Sequence, residues 1–338
     1  MKSKFLRFLP ILWVAIGLLF LASSFYGNYL IVHNQKNTNQ MTHSYLPKEQ
    51  AESRTAEITQ AASDQQNFDP SKVSPVTPEE YAQAQLQYED IVNKWGIGAL
   101  YVPGTVETKI LAGMSNQNLM VAVGTYYADQ KLGKGNFVLL AHNLVQGGGS
   151  LGSINRITKG QIIYATDFTD IFEYQVVKSE VVNQNQGNLL EKPKKSNPAL
   201  LTLVRCEGGL NTPNRALVQA EFKQKYLAKE ASENVRIGLG FTKKATNQAT
   251  SVESNTVATN QQSAASSQNE AQKQPVISSK KENHVFTSNK PIYNLFQRFA
   301  IEGFKLMNSH PIPLGITFLF VFAGLILIRS SMRDQKIL

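Results

Sequence analysis

One cysteine and one histidine are the residues best suited by type and position to perform covalent chemistry. Cys206, the only cysteine among 338 residues, ends the strand-like run 200–206, and His142 directly follows the apolar run 137–141. The other histidines fall in polar stretches or beside apolar end segments: His33, His43, His284 and His310. A thiolate is a nucleophile that a neighbouring imidazole can form, and catalytic groups often lie where a rigid strand meets a loop. The pair therefore predicts cysteine-based acyl transfer; the alternatives are a small buried cysteine and a hydrogen-bonded histidine.

Acyl transfer also needs a hydrogen-bond donor for the oxyanion, and arginine is the candidate donor. The central part of the chain contains four arginines: Arg156, Arg205, Arg215 and Arg236. Arg205 adjoins Cys206 on one predicted strand, so pleating sends the two side chains to opposite faces. Arg215 begins the next predicted strand and returns beside Cys206 if the two strands pair. The spacing therefore favours Arg215, and the alternative is a solvated charge at a strand end.

Strands and one helix must position these residues. Alternating apolar and polar residues predict six strands: Ile97–Val102, Asn136–Ala141, Gln161–Thr166, Ile171–Val182, Leu200–Cys206 and Arg215–Phe222. Before them, Thr77, Pro78 and Glu80 form a helix-start signal, and we expect that helix to end near Trp95. Period-two alternation with turn residues between the strands predicts an all-β domain, an antiparallel barrel or sandwich.

Charge and apolar residues at the two ends predict membrane segments. Lys+Arg 34 against Asp+Glu 25 gives a net charge of +9, and basic residues precede the apolar stretch 8–27 and follow the apolar stretch 311–328. The positive-inside rule then places both termini in the cytoplasm and the central domain outside, which makes nucleic acid an unsuitable partner. A cleaved signal peptide is the alternative for the first stretch. A single cysteine excludes an intrachain disulfide and a zinc site of paired thiolates.

The chain therefore divides into eight predicted segments. The two polar stretches have too few large apolar residues to bury, so we expect flexible linkers there. The segments are a cytoplasmic tail 1–7, a transmembrane signal-anchor 8–27, a polar linker 28–69, a catalytic domain 70–240, a low-complexity linker 241–290, a juxtamembrane amphipathic segment 291–310, a transmembrane helix 311–328 and a cytoplasmic tail 329–338.

Several motifs resemble those of sortases, class A in particular. Thr202-Leu203-Val204-Arg205-Cys206 with Arg215 resembles the Thr-Leu-x-Thr-Cys…Arg signature, and 123–125 with 133–142 is similar to the stretch around the catalytic histidine. Phe68-Asp69-Pro70 is similar to the segment that precedes the domain in streptococcal-type class A members. The resemblance covers 70–230. It implies the eight-stranded sortase β-barrel with short helices, here flanked by N- and C-terminal transmembrane helices.

The resemblance also implies an activity, a membrane-anchored cysteine transpeptidase. Cys206 would attack the Thr–Gly carbonyl of a Leu-Pro-x-Thr-Gly sorting signal, His142 would act as general acid and base, and Arg215 would stabilise the oxyanion. A peptidoglycan precursor amine, such as that of lipid II, would resolve the thioacyl-enzyme. The segment 181–198 would be a mobile loop over the signal. Four positions match the family's substrate groove: Thr125, Leu140, Val204 and Arg205.

The sequence departs from the family pattern at three points. Arg205 replaces the usual threonine before the cysteine, which adds a second cation beside the nucleophile. The C-terminal apolar stretch is typical of class C pilin polymerases, although Asp69-Pro70-Ser71 lacks the aromatic residue of the class C lid. The carboxylates that bind calcium in some class A members are absent before His142, so we expect no metal and no cofactor.

Three other classes of protein are alternatives to a sortase. An L,D-transpeptidase would carry Ser-x-Gly-Cys followed by arginine, whereas here the arginine precedes Cys206. Papain-like wall peptidases place cysteine before histidine, the reverse of this chain. A membrane-tethered wall-binding protein with an incidental thiol is the non-enzymatic alternative.

Overall fold

The computed structural model describes residues 2–33, 41–143, 149–191, 197–208, 212–242, 285–288, 291–309 and 311–334. Most of the predicted linker 241–290 and the centre of the predicted mobile loop 181–198 lie outside these residues. So do the ends of both predicted cytoplasmic tails.

Eight strands close into one barrel. They are β2 Gly96–Val102, β3 Val106–Leu111, β4 Val123–Thr125, β5 Asn136–Ala141, β6 Ile162–Thr166, β7 Asp170–Asn183, β8 Leu200–Cys206 and β9 Asn214–Leu227. Neighbours around the barrel follow the order β2-β3-β4-β5-β8-β9-β7-β6. The expected eight-stranded barrel is confirmed, but two of its pairs, β3–β4 and β5–β8, are parallel rather than antiparallel. The parallel pairs follow from crossovers, because α5 (Asn116–Val121) joins β3 to β4 and the β6–β7 hairpin lies between β5 and β8 in the chain.

Inward side chains fill the barrel as the strand alternation predicts. The core includes Leu100, Ile110, Val123, Leu139, Ile163, Tyr174, Leu203 and Val218. Strands β3 and β4 are not among the six predicted strands, because β4 has only three residues and β3 carries the charged Glu107 and Lys109.

The predicted helix over 77–95 is two helices, α3 Pro78–Leu86 and α4 Tyr88–Trp95. The predicted start is confirmed, because Thr77 and Glu80 form a reciprocal capping box. The break at Gln87 lets each helix bury its own apolar face.

The prediction of a flexible polar linker is wrong for its described part, 41–69. Strand β1 Met41–His43 pairs with β10 Phe286–Ser288, and α2 Lys48–Asp64 packs on the domain. The interpretation failed because small side chains suffice here. Ala51 and Ala62 are buried on α2, and the large apolar surface comes from other segments, with Phe168 and Phe286 in the same cluster.

Backbone and side-chain hydrogen bonds fix this segment to the barrel. The Leu46 amide donates to the Phe168 carbonyl at 3.0 Å, and the Thr169 hydroxyl donates to the Leu46 carbonyl at 2.8 Å. Arg54 of α2 donates to the carbonyls of Gly96 and Asn93.

Four further α-helices lie outside the barrel. They are α1 Lys2–Val32, α6 Glu233–Leu239, α7 Leu295–Ser309 and α8 Pro311–Asp334. Among the described residues, only Pro10–Val32 is long and apolar enough to cross a bilayer; Gly315–Arg329 is a shorter apolar helix segment. Helices α1 and α8 pack closely at two glycines. A Cβ on Gly17 would lie 2.4 Å from a Val321 methyl, and one on Gly324 would lie 2.5 Å from a Val14 methyl.

Phe286 tests whether the C-terminal segment belongs to the folded unit. The substitution Phe286→Ala removes a ring that is 2% exposed, and we expect it to lower the free energy of unfolding by about 3–5 kcal/mol. Denaturant unfolding of the full chain in detergent measures the change. Tyr45→Ala, at a 41% exposed ring in the opposite terminal segment, should cost far less. Equal losses for the two variants would contradict this packing.

Candidate active site

Strand register brings the two predicted reactive residues to one end of neighbouring strands. In the parallel β5–β8 pair, Ala141 aligns with Arg205, so His142 and Cys206 come next in register. Cys206 in turn pairs with Arg215 across the antiparallel β8–β9 ladder. Cys206 is partly exposed and His142 is nearly buried. The end of the β5-β8-β9 ladder therefore gathers all three residues.

Alternation assigns these residues to the outer face of the barrel. Leu139, Leu203 and Val218 point into the core, so the intervening positions point outward. The outward set runs along three adjacent strands and comprises Leu140 and His142, Val204 and Cys206, and Arg215 and Leu217. One outer surface thus carries a nucleophile, an imidazole, a guanidinium and apolar side chains.

His142 is held on two sides by α5 and the residue that begins it. Its backbone amide donates to the Leu119 carbonyl at 3.1 Å, and its Nε2 lies 3.1 Å from Asn116 Oδ1. The same Oδ1 accepts the Ser74 amide at 3.1 Å, which identifies it as the oxygen of the Asn116 amide. Nε2 therefore carries the ring proton as the donor, and Nδ1 of the neutral ring is the nitrogen that can accept one.

Burial sets the protonation state of this imidazole. It lowers the pKa of His142 to about 4, against a smaller opposing effect of the Glu80 carboxylate. The ring is accordingly neutral near pH 7 and can serve as a base. Glu80 is the residue that completes the α3 capping box, so its carboxylate is held in place.

Arg215 is fixed by neutral acceptors. Its Nη1 donates to the carbonyls of Thr212 at 2.7 Å and Asn214 at 2.8 Å, and its Nη2 donates to Gln184 Oε1 at 2.6 Å. None of the carboxylates in the described ranges forms an ion pair with this guanidinium. Its positive charge is thus oriented but not neutralised by them, which suits a group that must meet a developing negative charge.

Arg205 lies elsewhere, and its predicted contact with substrate does not fit this placement. The side chain is 5% exposed and forms an ion pair with Glu207. Its Nη1 also donates to Asn143 Oδ1 at 3.0 Å, and to the Gly152 carbonyl at 3.4 Å. Pleating accounts for this position, because neighbours on a strand face opposite ways. Arg205 therefore connects the loop after β5 to the loop after β8 instead of meeting a ligand beside Cys206.

The other predicted groove residues are divided between an apolar cluster on the outer face of the barrel and the interior. Val204 packs with Val182 and Leu217, and two half-buried side chains, Leu189 and Leu190, lie against them. Leu140 is half-buried beside Val204. Thr125 is buried, and its hydroxyl oxygen accepts the Gly113 amide at 2.8 Å. The apolar cluster next to Cys206 is thus formed by Val204 and its neighbours, without Thr125.

Sequence reasoning missed Asn116, Asn143 and Gln184, which bond directly to His142, Arg205 and Arg215. Each is an ordinary polar residue in a loop or at a helix start, and only the fold brings it to its partner. In the part of the chain that the structure describes, no group of three or more His, Cys, Asp or Glu side chains is arranged to hold a metal ion.

Comparison with known proteins identifies similar chains. A family model described as "Sortase domain" matches residues 100–223. Sortase A of Listeria monocytogenes is 29% identical over 136 residues, which cover 40% of this chain and 60% of that protein. The putative sortase YwpE of Bacillus subtilis is 30% identical over 93 residues, 28% of this chain and 88% of that protein. The crystal structure of the Listeria sortase A superimposes with a TM-score of 0.39 and 24% identity, covering 44% of this chain and 99% of that chain.

A closed barrel with cysteine, histidine and arginine at the end of one three-strand face defines a class of cysteine acyl-transfer proteins. Within that class, the chain belongs to the sortase family. Sortases are cysteine transpeptidases. The expected family is thereby confirmed, and a class A-like member is compatible with the relatives that match.

Asn116→Ala tests the positioning of His142. Loss of the Nε2 acceptor frees the ring to rotate and to change tautomer, so we expect kcat to fall about 3- to 10-fold with little change in KM. The matched control is Gln224→Ala, which removes an amide hydrogen bond to Glu173 away from the site. Steady-state cleavage of a fluorogenic peptide measures both variants, and equal kcat values for Asn116→Ala and the parent would contradict the role.

The buried His142 also predicts a pH dependence of stability. Its folded pKa of about 4 lies below the ordinary 6.5, so the unfolded chain binds the proton more readily. Stability therefore falls as pH falls from about 6.5 to about 4, by about 3 kcal/mol, with no contribution from His142 above that window. Denaturant unfolding across pH should show a shallower decline for His142→Gln than for the parent. His33→Gln, at an exposed histidine, should leave the decline unchanged; an unchanged decline in His142→Gln would refute the prediction.

Proposed function

We propose that this chain is a membrane-anchored sortase that cleaves a Leu-Pro-x-Thr-Gly signal between Thr and Gly. The cleaved protein passes through a Cys206 thioacyl intermediate to the amine of a peptidoglycan precursor such as lipid II. The observation that carries the proposal is the register of β5, β8 and β9, which aligns His142, Cys206 and Arg215 on one face. The three residues keep the roles predicted for them.

The first half of the reaction forms the acyl-enzyme. Nδ1 of His142 accepts the Cys206 thiol proton, and the thiolate attacks the carbonyl carbon of the threonine. Arg215 donates hydrogen bonds to the resulting oxyanion, whose negative charge its guanidinium stabilises. The tetrahedral intermediate collapses, the C–N bond breaks, and the imidazolium gives its proton to the departing glycine amine.

The second half reverses these proton transfers. Neutral His142 accepts a proton from the incoming amine as the amine nitrogen attacks the thioester carbonyl. A second oxyanion forms opposite Arg215, and its collapse breaks the C–S bond. The thiolate regains the proton, so the enzyme is unchanged and one amide has replaced another. Water in place of the amine gives slow hydrolysis.

The apolar cluster beside Cys206 supports recognition of the apolar end of the signal. Val182, Val204 and Leu217 form a buried cluster on the outer face of three adjacent strands, and Leu189 and Leu190 pack against it from the segment after β7. We assign the leucine and proline of the signal to this cluster, with Leu140 at its edge. Arg205 is assigned a positioning role, because its buried ion pair with Glu207 keeps it from the groove.

Both apolar helices support a two-pass topology with the barrel outside. Basic residues lie in the first turns of α1, before its apolar part, and follow the apolar part of α8, and the two helices pack on each other at Gly17 and Gly324. Secreted proteins that bear the sorting signal and an amine-bearing wall precursor are then the expected partners on the outer surface.

Pilin polymerisation is the second candidate, and the C-terminal apolar helix favours it. The Asp69 region does not resemble a lid over the cysteine, however. The Asp69 carboxylate accepts the amide and the hydroxyl of Ser71, which closes a local turn at Pro70–Lys72. The acceptor amine distinguishes the two candidates, a lysine side chain for pilin and a peptidoglycan-type amine for wall anchoring.

The test uses the full chain in detergent with a quenched Leu-Pro-x-Thr-Gly peptide and a glycine or alanine amine. We expect Cys206→Ala to abolish cleavage and ligation, and Arg215→Ala to lower kcat/KM about 10²- to 10³-fold. Arg236→Ala is the matched control on α6 and should retain activity. Activity in Cys206→Ala would refute the thioacyl intermediate. Absence of cleavage by the parent chain would refute the enzyme and favour a wall-binding protein.

A further inference from the structure

Helix α7 has two apolar faces, of which only one is covered. Ala300, Ile301 and Phe304 are buried in the same cluster as residues of α1 and α3, and Met307 is also buried. The opposite face is open: Leu295 is 87% exposed, Phe296 69%, Phe299 51% and Leu306 52%. Four large apolar side chains are thus exposed on one short helix, together with the charged Arg298 and Glu302. Exposed apolar side chains in this number mark interaction sites, and a charged border is typical of a helix that lies in a membrane interface.

The exposed face of α7 continues the surface of α1. A Cβ on Gly27 would lie 2.2 Å from the Ala300 carbonyl oxygen, so the two helices are in direct contact there. Tyr26 and Phe296 place their ring centroids 5.8 Å apart. On α1, Phe25 is 75% exposed beside this contact. Both helices therefore present apolar side chains to the same surroundings.

The position of this contact along α1 corresponds to a membrane boundary. A hydrocarbon core of about 30 Å takes about 20 helical residues, so a span that enters near Phe8 leaves near Gly27. Tyr26 and Tyr29 lie at that depth, where aromatic side chains are typical of the interface. Helix α7 crosses α1 there and is followed directly by the apolar α8.

Helix α7 is also joined to the catalytic barrel. Lys305 donates to Gln83 of α3 at 2.6 Å. From α3, the Gln85 side chain donates to the Met120 carbonyl of α5 at 3.1 Å. Leu119 of α5 then accepts the His142 amide. Separate hydrogen bonds therefore link α7 to α3, α3 to α5, and α5 to His142.

We propose that the outer face of α7, formed by Leu295, Phe296, Phe299 and Leu306, lies in the outer leaflet and seats the barrel on the bilayer. The proposal rests on the proposed membrane anchoring. An amphipathic helix at this depth buries its apolar face at the boundary of headgroups and acyl chains. The barrel is then held at a fixed height, with His142 on the side that α3 and α5 connect to the membrane. An amine carried on a lipid would be presented within reach of that side.

Depth-dependent quenching tests the location of α7. In a Cys206→Ala background of the full chain, Phe299→Cys is labelled with an environment-sensitive NBD fluorophore and reconstituted in phosphatidylglycerol–phosphatidylethanolamine vesicles. We expect a blue-shifted emission that doxyl-lipids quench, more strongly with the doxyl at carbon 5 than at carbon 12. Ile237→Cys is the matched control, because Ile237 is 45% exposed on α6 of the barrel; its label should respond to aqueous iodide instead.

Two outcomes would overturn the proposal. A label at Phe299→Cys that iodide quenches like the Ile237→Cys label would place α7 in water. Energy transfer between labels without doxyl quenching would mean that a second copy covers the face. Neither measurement depends on catalysis, so peptide cleavage by the parent chain in the same vesicles reports separately on the proposed function.

Acyl transfer to an amine on a vesicle lipid gives a second, functional test of the proposal. Phe299→Gln with Leu306→Gln should leave cleavage of a soluble peptide in detergent unchanged, since neither residue touches the barrel face that carries Cys206. Transfer to a glycyl amine linked to a vesicle lipid should fall relative to transfer to the same amine in solution. An unchanged ratio of the two transfer rates would contradict the seating of the barrel by α7.

Discussion

The parallel pairing of β5 with β8 is the constraint on which the rest of the site depends. Because side chains alternate along a strand, a slip of one residue would turn either His142 or Cys206 into the barrel. The register is held by the inner face, where Leu139 and Leu203 are fully buried, and by Asn136, which accepts the Thr202 hydroxyl at 2.7 Å. Burial of the core thus decides which atoms meet outside it.

The same constraint explains why the histidine is a neutral base. Placing His142 at the strand end also places it under α5, where burial lowers its pKa and the Asn116 amide fixes its tautomer. In the proposed mechanism a neutral ring with a free Nδ1 takes the thiol proton, and the imidazolium so formed faces the thiolate. Attraction between those two charges offsets the cost of burying the cation.

The sequence was sufficient for the barrel, and insufficient for the contacts that support the proposed site. Strand alternation and a single cysteine are local signals, and they led to the prediction that Cys206 and His142 react together. The role of 41–64 was hidden, since alanine and polar residues become core only against Phe168 and Phe286 from distant parts of the chain. Asn116 was likewise invisible, because its bond to His142 depends on how α5 packs on β5. Long-range contacts carry little trace in local composition.

Arg205 shows how a departure from a family motif can be accommodated without loss of the site. A guanidinium beside a nucleophile would compete for the oxyanion if it faced the same way, and pleating prevents this. Its burial would be costly for an unpaired charge, but Glu207 balances the charge, and Asn143 and Gly152 accept hydrogen bonds from Nη1, while the buried Nε has no hydrogen-bond partner among the residues that the structure describes. The cation therefore joins the loop after His142 to the loop after Cys206. The ion pair with Glu207 and the hydrogen bond to Asn143 therefore fix the position of the two loops relative to each other. These loops follow directly after His142 and Cys206.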